Sequence, residues 1–177
     1  MGSILHPTEL IKKLPIWEGM AIADLGCGSG IFTIELAKAL NGNGKIVAFD
    51  IQEKSLSFLN ERANYNNVGH LIETKLSDLD SKNFASGLTN TFDMVTAINL
   101  LFQIENKQKI ITDSKKILKP GGFLVIVDWE VFKIPGNENL YPVKQPDLLE
   151  MLQSNGFSVK ETFRPSNTHF GLILIKN

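Results

Sequence analysis

The sequence predicts an α/β protein: a seven-stranded, mostly parallel sheet with an antiparallel terminal hairpin and helices on both faces. Three observations carry this. Short apolar runs alternate with stripes at 3.6-residue spacing along most of the chain, the pattern of strands and crossover helices. The run Ile22 to Leu25 passes through glycines at 26, 28 and 30 straight into an amphipathic stretch. The last two apolar runs are joined by only four residues, Arg164 to Asn167, too few for a crossover, so they pair antiparallel.

In chain order, Leu10, Ile11 and Leu14 step at helical spacing before Pro15, so residues 1–19 form a leading helix and linker. Met20 to Leu25 is nearly continuous in apolar character, as in a parallel strand covered on both faces. Ile31, Ile34, Ala37 and Leu40 mark the first crossover helix, and Asn41-Gly42-Asn43-Gly44 stops it with residues that tolerate positive φ. Lys45 to Phe49 forms the second strand, ended by Asp50. Leu56, Leu59 and Ala63 give the next helix, closed by Asn66 to Gly69. His70 to Leu76 is the third strand, ending at Ser77-Asp78, and the mixed, polar stretch Leu79 to Asn90 holds at most a short helix.

Thr91 to Ile98 is the fourth strand, with Asn99 at its end. Ile110, Ile111, Ser114, Ile117 and Leu118 mark a helix whose Lys115, Lys116 and Lys119 sit near its carbonyl end, where cations are favoured. Pro120-Gly121-Gly122 breaks it before the fifth strand, Phe123 to Val127, which Asp128 ends. Val131 to Lys144 holds Pro135, Gly136 and Pro142 without periodicity and reads as a long surface loop of the kind that carries specificity. A helix from Pro146 to Ser154 and strands from Phe157 to Phe163 and Thr168 to Ile175 complete the chain.

The 177 residues fit one domain, with 43% hydrophobic and 21% charged residues, ordinary globular values. A formal charge of −1 supplies no electrostatic footprint for nucleic acid. Cys27 is the single cysteine, which excludes an intrachain disulfide framework, and its place in the glycine loop suits a small packed residue better than a reactive thiol. No apolar run approaches the ~18 residues of a membrane span, and the reading is of a soluble, cytoplasmic protein.

Polar residues at the carboxyl ends of consecutive parallel strands share one edge of the sheet, and here they are Asp24, Asp50, Asp78, Asn99 and Asp128. The sharpest is Asp50, twenty residues after Gly30, where a carboxylate can accept both hydroxyls of a ribose. Asp78 lies one strand further along and can accept from an adenine amino group, with Ile51 and Leu79 as apolar walls for the base. A dinucleotide oxidoreductase also needs a glycine loop and a later acid, but counted from Gly26 its third glycine position is Ile31, and a terminal hairpin is foreign to it.

These residues resemble a known family. Asp24-Leu25-Gly26-Cys27-Gly28-Ser29-Gly30 looks like the first motif of class I S-adenosylmethionine-dependent methyltransferases, and Val47-Ala48-Phe49-Asp50 like their second. Ser77-Asp78 resembles the third, Phe92 to Asn99 the fourth, and Leu118 to Gly122 the turn before their fifth strand. The likeness is nearest to the small single-domain ubiquinone/menaquinone-biosynthesis methyltransferases and implies a Rossmann-like sheet. It implies S-adenosylmethionine as cofactor, S-adenosylhomocysteine as product, and a binding set of Asp24, Gly26, Cys27, Gly28, Asp50, Ile51, Ser77, Asp78, Leu79 and Asn99. Within that set Asp24 would help fix the loop and the methionine amine, and Asn99 would face the methionine end. Asn99-Leu100-Leu101-Phe102 lacks the two prolines of the Asn-Pro-Pro-aromatic motif found in enzymes that methylate amide or exocyclic nitrogens, and Asn99 and Asp128 do not supply the acid cluster of metal-dependent O-methyltransferases, so no metal is expected.

The expected acceptor is a small molecule. Candidate acceptor-side residues are Phe102, Gln103, Asp128, Trp129, Glu130, Tyr141 and His169, with no catalytic residue assigned. A methyltransferase of RNA or protein is the second reading, to be recognised by Lys107, Lys109, Lys115 and Lys116 merging with the pocket rim into one basic face; a non-catalytic cofactor-binding module is the third. The apolar final strand, Leu172 to Ile175, suggests a homodimer if it forms an exposed edge.

Overall fold

The computed structural model describes residues 5–82, 84–130 and 140–177. Seven strands form one sheet: β1 (Ala21–Leu25), β2 (Lys45–Asp50), β3 (Ile72–Leu76), β4 (Phe92–Ile98), β5 (Leu118–Trp129), β6 (Phe157–Ser166) and β7 (His169–Lys176). Their order is β3-β2-β1-β4-β5-β7-β6; β1 to β5 run parallel, whereas β7 is antiparallel to both β5 and β6. The helices are α1 (Pro7–Ile11), α2 (Ile31–Ala39), α3 (Glu53–Tyr65), α4 (Lys107–Ile117) and α5 (Gln145–Ser154).

The near-continuous apolar strands are explained by burial on both faces. Side chains alternate between two cores: Ala23, Val47, Val95 and Leu124 face one, Ile22, Ile46, Met94 and Val125 the other. The first core is closed by Ile110, Ile111, Leu148 and Leu152 of α4 and α5, the second by Leu10, Leu36, Leu59 and Ala63 of α1, α2 and α3. Chain order moves outward from β1 to β3 and then returns to β4 on the other flank of β1. This reversal opens a crevice beyond the carboxyl ends of the strands, beside the glycine loop.

Several boundaries depart from the expected ones. Strand β5 begins at Leu118 rather than Phe123: Leu118 pairs with Phe92 and Phe123 with Met94, so Lys119 to Gly122 bulge opposite Asp93. Asp93 holds this amino-terminal end of the sheet, accepting the Ala21 N–H at 2.8 Å and the Lys119 ammonium at 2.7 Å. Residues 79–90 contain turns but no helix among the described residues. The four-residue joint shrinks to Asn167-Thr168, because β6 extends to Ser166 and β7 starts at His169. The expected loop over residues 131–144 falls largely on residues 131–139, outside the described ones.

The homodimer argument loses its basis. β7 lies between β5 and β6, with Leu172, Ile173 and Leu174 fully buried, so its apolar face already has partners. The edge strand on that side is β6, largely exposed and carrying Lys160, Glu161, Arg164 and Pro165, residues that discourage further strand pairing.

Candidate functional site

The glycine loop is built onto the end of β2. The N–H groups of Gly26 and Cys27 both donate to the Phe49 carbonyl, at 2.8 and 3.0 Å, and the Gly28 N–H donates to Asp50 Oδ2 at 2.8 Å. Asp50 Oδ1 accepts the Gln52 N–H at 2.9 Å. The carboxylate thus clasps the loop with one oxygen and the start of α3 with the other, while each oxygen keeps a further lone pair for a ligand. Gly28 has φ +53, and a Cβ built there would meet nothing within 4 Å, so its open side is space beside the main chain that a ligand can occupy.

A cavity of about 370 Å³ opens in front of this loop. Seven of the ten expected binding residues line it: Gly26, Gly28, Asp50, Ile51, Ser77, Asp78 and Leu79. Its size suits a small-molecule or cofactor ligand. Ile51 is 65% exposed at its mouth and Leu79 is buried in its wall, so two apolar surfaces flank the carboxylate. Asp78 is exposed, and its Oδ1 accepts the Asp80 N–H at 2.9 Å, holding a turn. The opposite end of the cavity is formed by Leu100, Gln103 and Ile104, beyond β4.

Asp24, Cys27 and Asn99 lie outside this lining. Asp24 is buried beneath the loop, where it accepts the hydroxyls of Thr33 at 2.6 Å and Thr96 at 2.7 Å and ties α2 and β4 to β1. Burial and the neighbouring carboxylates of Asp24 and Asp50 push the Cys27 thiol up, so it stays protonated, in keeping with a packed residue. Asn99 adopts φ +54 at the end of β4, and its side chain contacts His169.

Residues that sequence reasoning missed also shape the cavity. Gln52 and Ser55 line it from the start of α3, a position legible in principle because that helix follows Asp50 directly. Lys109 of α4 reaches across to donate to the Leu79 carbonyl at 2.9 Å and also pairs with Asp113, fixing the Leu79 wall. No local sequence signal marks this contact, which joins segments thirty residues apart.

The profile of the methyltransferase-domain family matches residues 16–169. The chain belongs to this family. It is a class I, S-adenosylmethionine-dependent methyltransferase domain, and the glycine cradle, the carboxylate clasp and the apolar walls fit the nucleoside of that cofactor. Its relatives include the ribosomal protein L11 methyltransferase of Halalkalibacterium halodurans, 27% identical over 91% of this chain and 46% of that protein. They also include the demethylmenaquinone methyltransferase of Staphylococcus haemolyticus, 25% identical over 75% of this chain and 53% of that protein. The chain therefore spans about half the length of these curated relatives. A SAM-dependent methyltransferase from Aquifex aeolicus shares the fold, with a TM-score of 0.82 and 23% identity, covering 98% of this chain and 90% of that one.

Of the residues expected on the acceptor side, Phe102, Trp129 and His169 gather at the ends of β4, β5 and β7, with ring centroids 6.4 Å apart for Phe102–Trp129 and 4.0 Å for Trp129–His169. The Tyr141 N–H donates to the Phe102 carbonyl at 2.6 Å, while Glu130 turns to Arg164. Asp128 is consumed structurally. Its Oδ2 accepts the N–H groups of Leu101 and Phe102, at 2.7 and 3.2 Å, and its Oδ1 that of Trp129, so it fixes the single helical turn Leu101–Gln103 behind the cavity.

Burial pushes the Asp24 carboxyl up to about 6 against its two threonine donors, and burial does the same to Asp128, also to about 6, against three backbone N–H groups and Lys107. Both exceed the ordinary 3.8, so between about pH 4 and 6 these two carboxyls hold more protons in the folded chain than in the unfolded one and their contribution to stability falls as pH rises, whereas His169, whose pKa burial lowers from 6.5, acts in the opposite sense. Glu35 and Glu73, held below their ordinary 4.5 by lysines, act only at lower pH. On acidifying from pH 7 to about 5, Asp24→Asn, which lacks one of the two raised carboxyls, is therefore expected to fall in melting temperature by a few degrees relative to the wild type. A scanning-fluorimetry series on the two proteins checks this; pH profiles that run parallel contradict it.

Proposed function

We propose that this domain transfers a methyl group from S-adenosylmethionine to a small-molecule acceptor by in-line displacement. The observation that carries the reading is the cavity in which the Asp50 carboxylate clasps the glycine loop between the apolar walls of Ile51 and Leu79. Asp50 accepts the ribose hydroxyls through its remaining lone pairs, Asp78 accepts from the adenine amino group, and Ile51 and Leu79 sandwich the base. The bound cofactor supplies a methyl group made electrophilic by its sulfonium. The protein's part is alignment and exclusion of water, a proximity effect worth up to about 7–11 kcal/mol of barrier in well-oriented reactions. A general base is needed only where the acceptor atom carries a proton.

A small acceptor is supported by the charge around the cavity. Asp50, Asp78 and Asp80 line it, and of the four lysines whose merging with the rim would mark a polyanion or protein reading, Lys109 is paired with Asp113. A cavity lined by three carboxylates repels a polyanion. The likeness to L11 methyltransferases favours a protein acceptor as the second reading.

Calorimetric titration with S-adenosylhomocysteine, with NAD as parallel control, tests the cofactor. Micromolar binding of the former alone is expected; binding of NAD alone overturns the reading. Transfer of labelled methyl from S-adenosylmethionine into a fraction of low-molecular-mass metabolites, compared with transfer into ribosomal protein, separates the two acceptors.

A further inference from the structure

A histidine from the last strand is wired to the end of β4. His169 is 3% exposed and pairs in register with Trp129, whose ring lies 4.0 Å from its own. Its Nε2 lies 3.0 Å from Asn99 Oδ1, and its Nδ1 lies 2.9 Å from Ser166 Oγ and 3.0 Å from Thr168 Oγ1. An amide oxygen only accepts, so Nε2 carries the proton and donates it to Asn99, leaving Nδ1 to accept from the hydroxyls. Burial lowers the basicity of His169, which agrees with a neutral ring in one tautomer. Asn99 itself is held at both main-chain groups: its N–H donates to the Val127 carbonyl at 2.8 Å, and its carbonyl accepts from Gln103 Nε2 at 2.9 Å.

With Oδ1 committed to His169, the Nδ2 amide is the part of Asn99 left for a ligand; it makes no hydrogen bond among the described residues. Sheet order decides which part of a ligand that is. β2 and β3 flank β1 on the side of Asp50 and Asp78, and β4 flanks it on the other, so Asn99, though not itself in the cavity lining, directly precedes Leu100, which with Gln103 lines the end remote from the base.

Resting on the proposed cofactor reading, we propose that His169 is a positioning residue that turns the Asn99 amide so that its N–H₂ faces the non-nucleoside end of the ligand. The group recognised there is a hydrogen-bond acceptor, such as the carboxylate of an amino-acid moiety. A carbonyl-first orientation of Asn99 would instead select a donor, so the imidazole tautomer sets the specificity of that end.

The test compares two probes by calorimetry: S-adenosylhomocysteine, and adenosine, which lacks the amino-acid part. His169→Ala is expected to raise the Kd of S-adenosylhomocysteine about ten-fold, the worth of one hydrogen bond to a charged group, and to leave that of adenosine within about two-fold. His169→Gln, which retains a donor, restores most of the affinity, and the double variant with Asn99→Ala binds no more weakly than Asn99→Ala alone. Equal losses for both probes, an unchanged Kd for S-adenosylhomocysteine, or additive losses in the double variant overturn the positioning role. Wild-type protein that binds neither probe overturns the cofactor reading and this proposal together. Should the His169 variants fail to fold, nitrogen NMR of the wild-type imidazole decides: the neutral Nε2-protonated tautomer is expected at pH 7, and the Nδ1-protonated form refutes the proposal.

Discussion

Asp50→Ala is expected to weaken S-adenosylhomocysteine binding at least ten-fold, and about a hundred-fold if both ribose hydroxyls are lost as partners of a charged acceptor. Two effects add. The variant removes the carboxylate that the ligand would meet, and it releases the Gly28 and Gln52 N–H groups, held at 2.8 and 2.9 Å, that keep the loop and α3 in place around the cavity. Asp50→Asn separates them: an amide retains one acceptor but sets its N–H₂ against one of the two backbone donors, so an intermediate loss is expected. Titration calorimetry of the two variants beside the wild type measures both. Affinity unchanged in Asp50→Ala removes the ribose assignment.

Gly30→Ala is expected to lower the melting temperature by about 10 °C, from a loss on the order of 3 kcal/mol. Gly30 has φ +82, where an L side chain is strained by about 1–2 kcal/mol. An added Cβ would also lie 2.2 Å from Leu59 Cδ1 and 3.1 Å from its Cβ and Cγ, so the fully buried Leu59 side chain must shift within the core. Gly28→Ala is the control, because its Cβ meets no atom within 4 Å; it should lose only the conformational part of the stability while obstructing the cavity. Fluorimetry and calorimetry on the pair are expected to show the larger melting loss in Gly30→Ala and the more selective binding loss in Gly28→Ala. Equal melting losses would mean that Leu59 adapts and that packing against α3 does not require a glycine at 30.

The elements were legible wherever local pattern and burial agreed. β1, β2 and β4 read as apolar runs because both of their faces are covered, and the hairpin of β6 and β7 followed from a joint too short to cross the sheet. The start of β5 was hidden because Pro120-Gly121-Gly122 is an ordinary helix stop, yet Leu118 re-enters the ladder before the bulge and the residues between cross over Asp93. Asp24 and Asp128 looked like site residues because they share the strand-end position of Asp50. Whether such a carboxylate meets a ligand depends on which donors surround it, here Thr33 and Thr96 for one and the Leu101, Phe102 and Trp129 N–H groups for the other.

Sequence alone determined the seven-strand order of elements, the glycine loop, and the placing of Gly26, Gly28, Asp50, Ile51, Ser77, Asp78 and Leu79 around one cavity, since each stands at or just beyond the carboxyl end of a strand. Only the tertiary structure decided that β7 is interior, that Lys109 braces Leu79, and that His169 holds Asn99 across seventy residues. The reason is range. Periodicity and turn chemistry act over a few residues and leave a readable trace, whereas the insertion of a strand or a hydrogen bond between distant segments is chosen by the packing of the whole sheet.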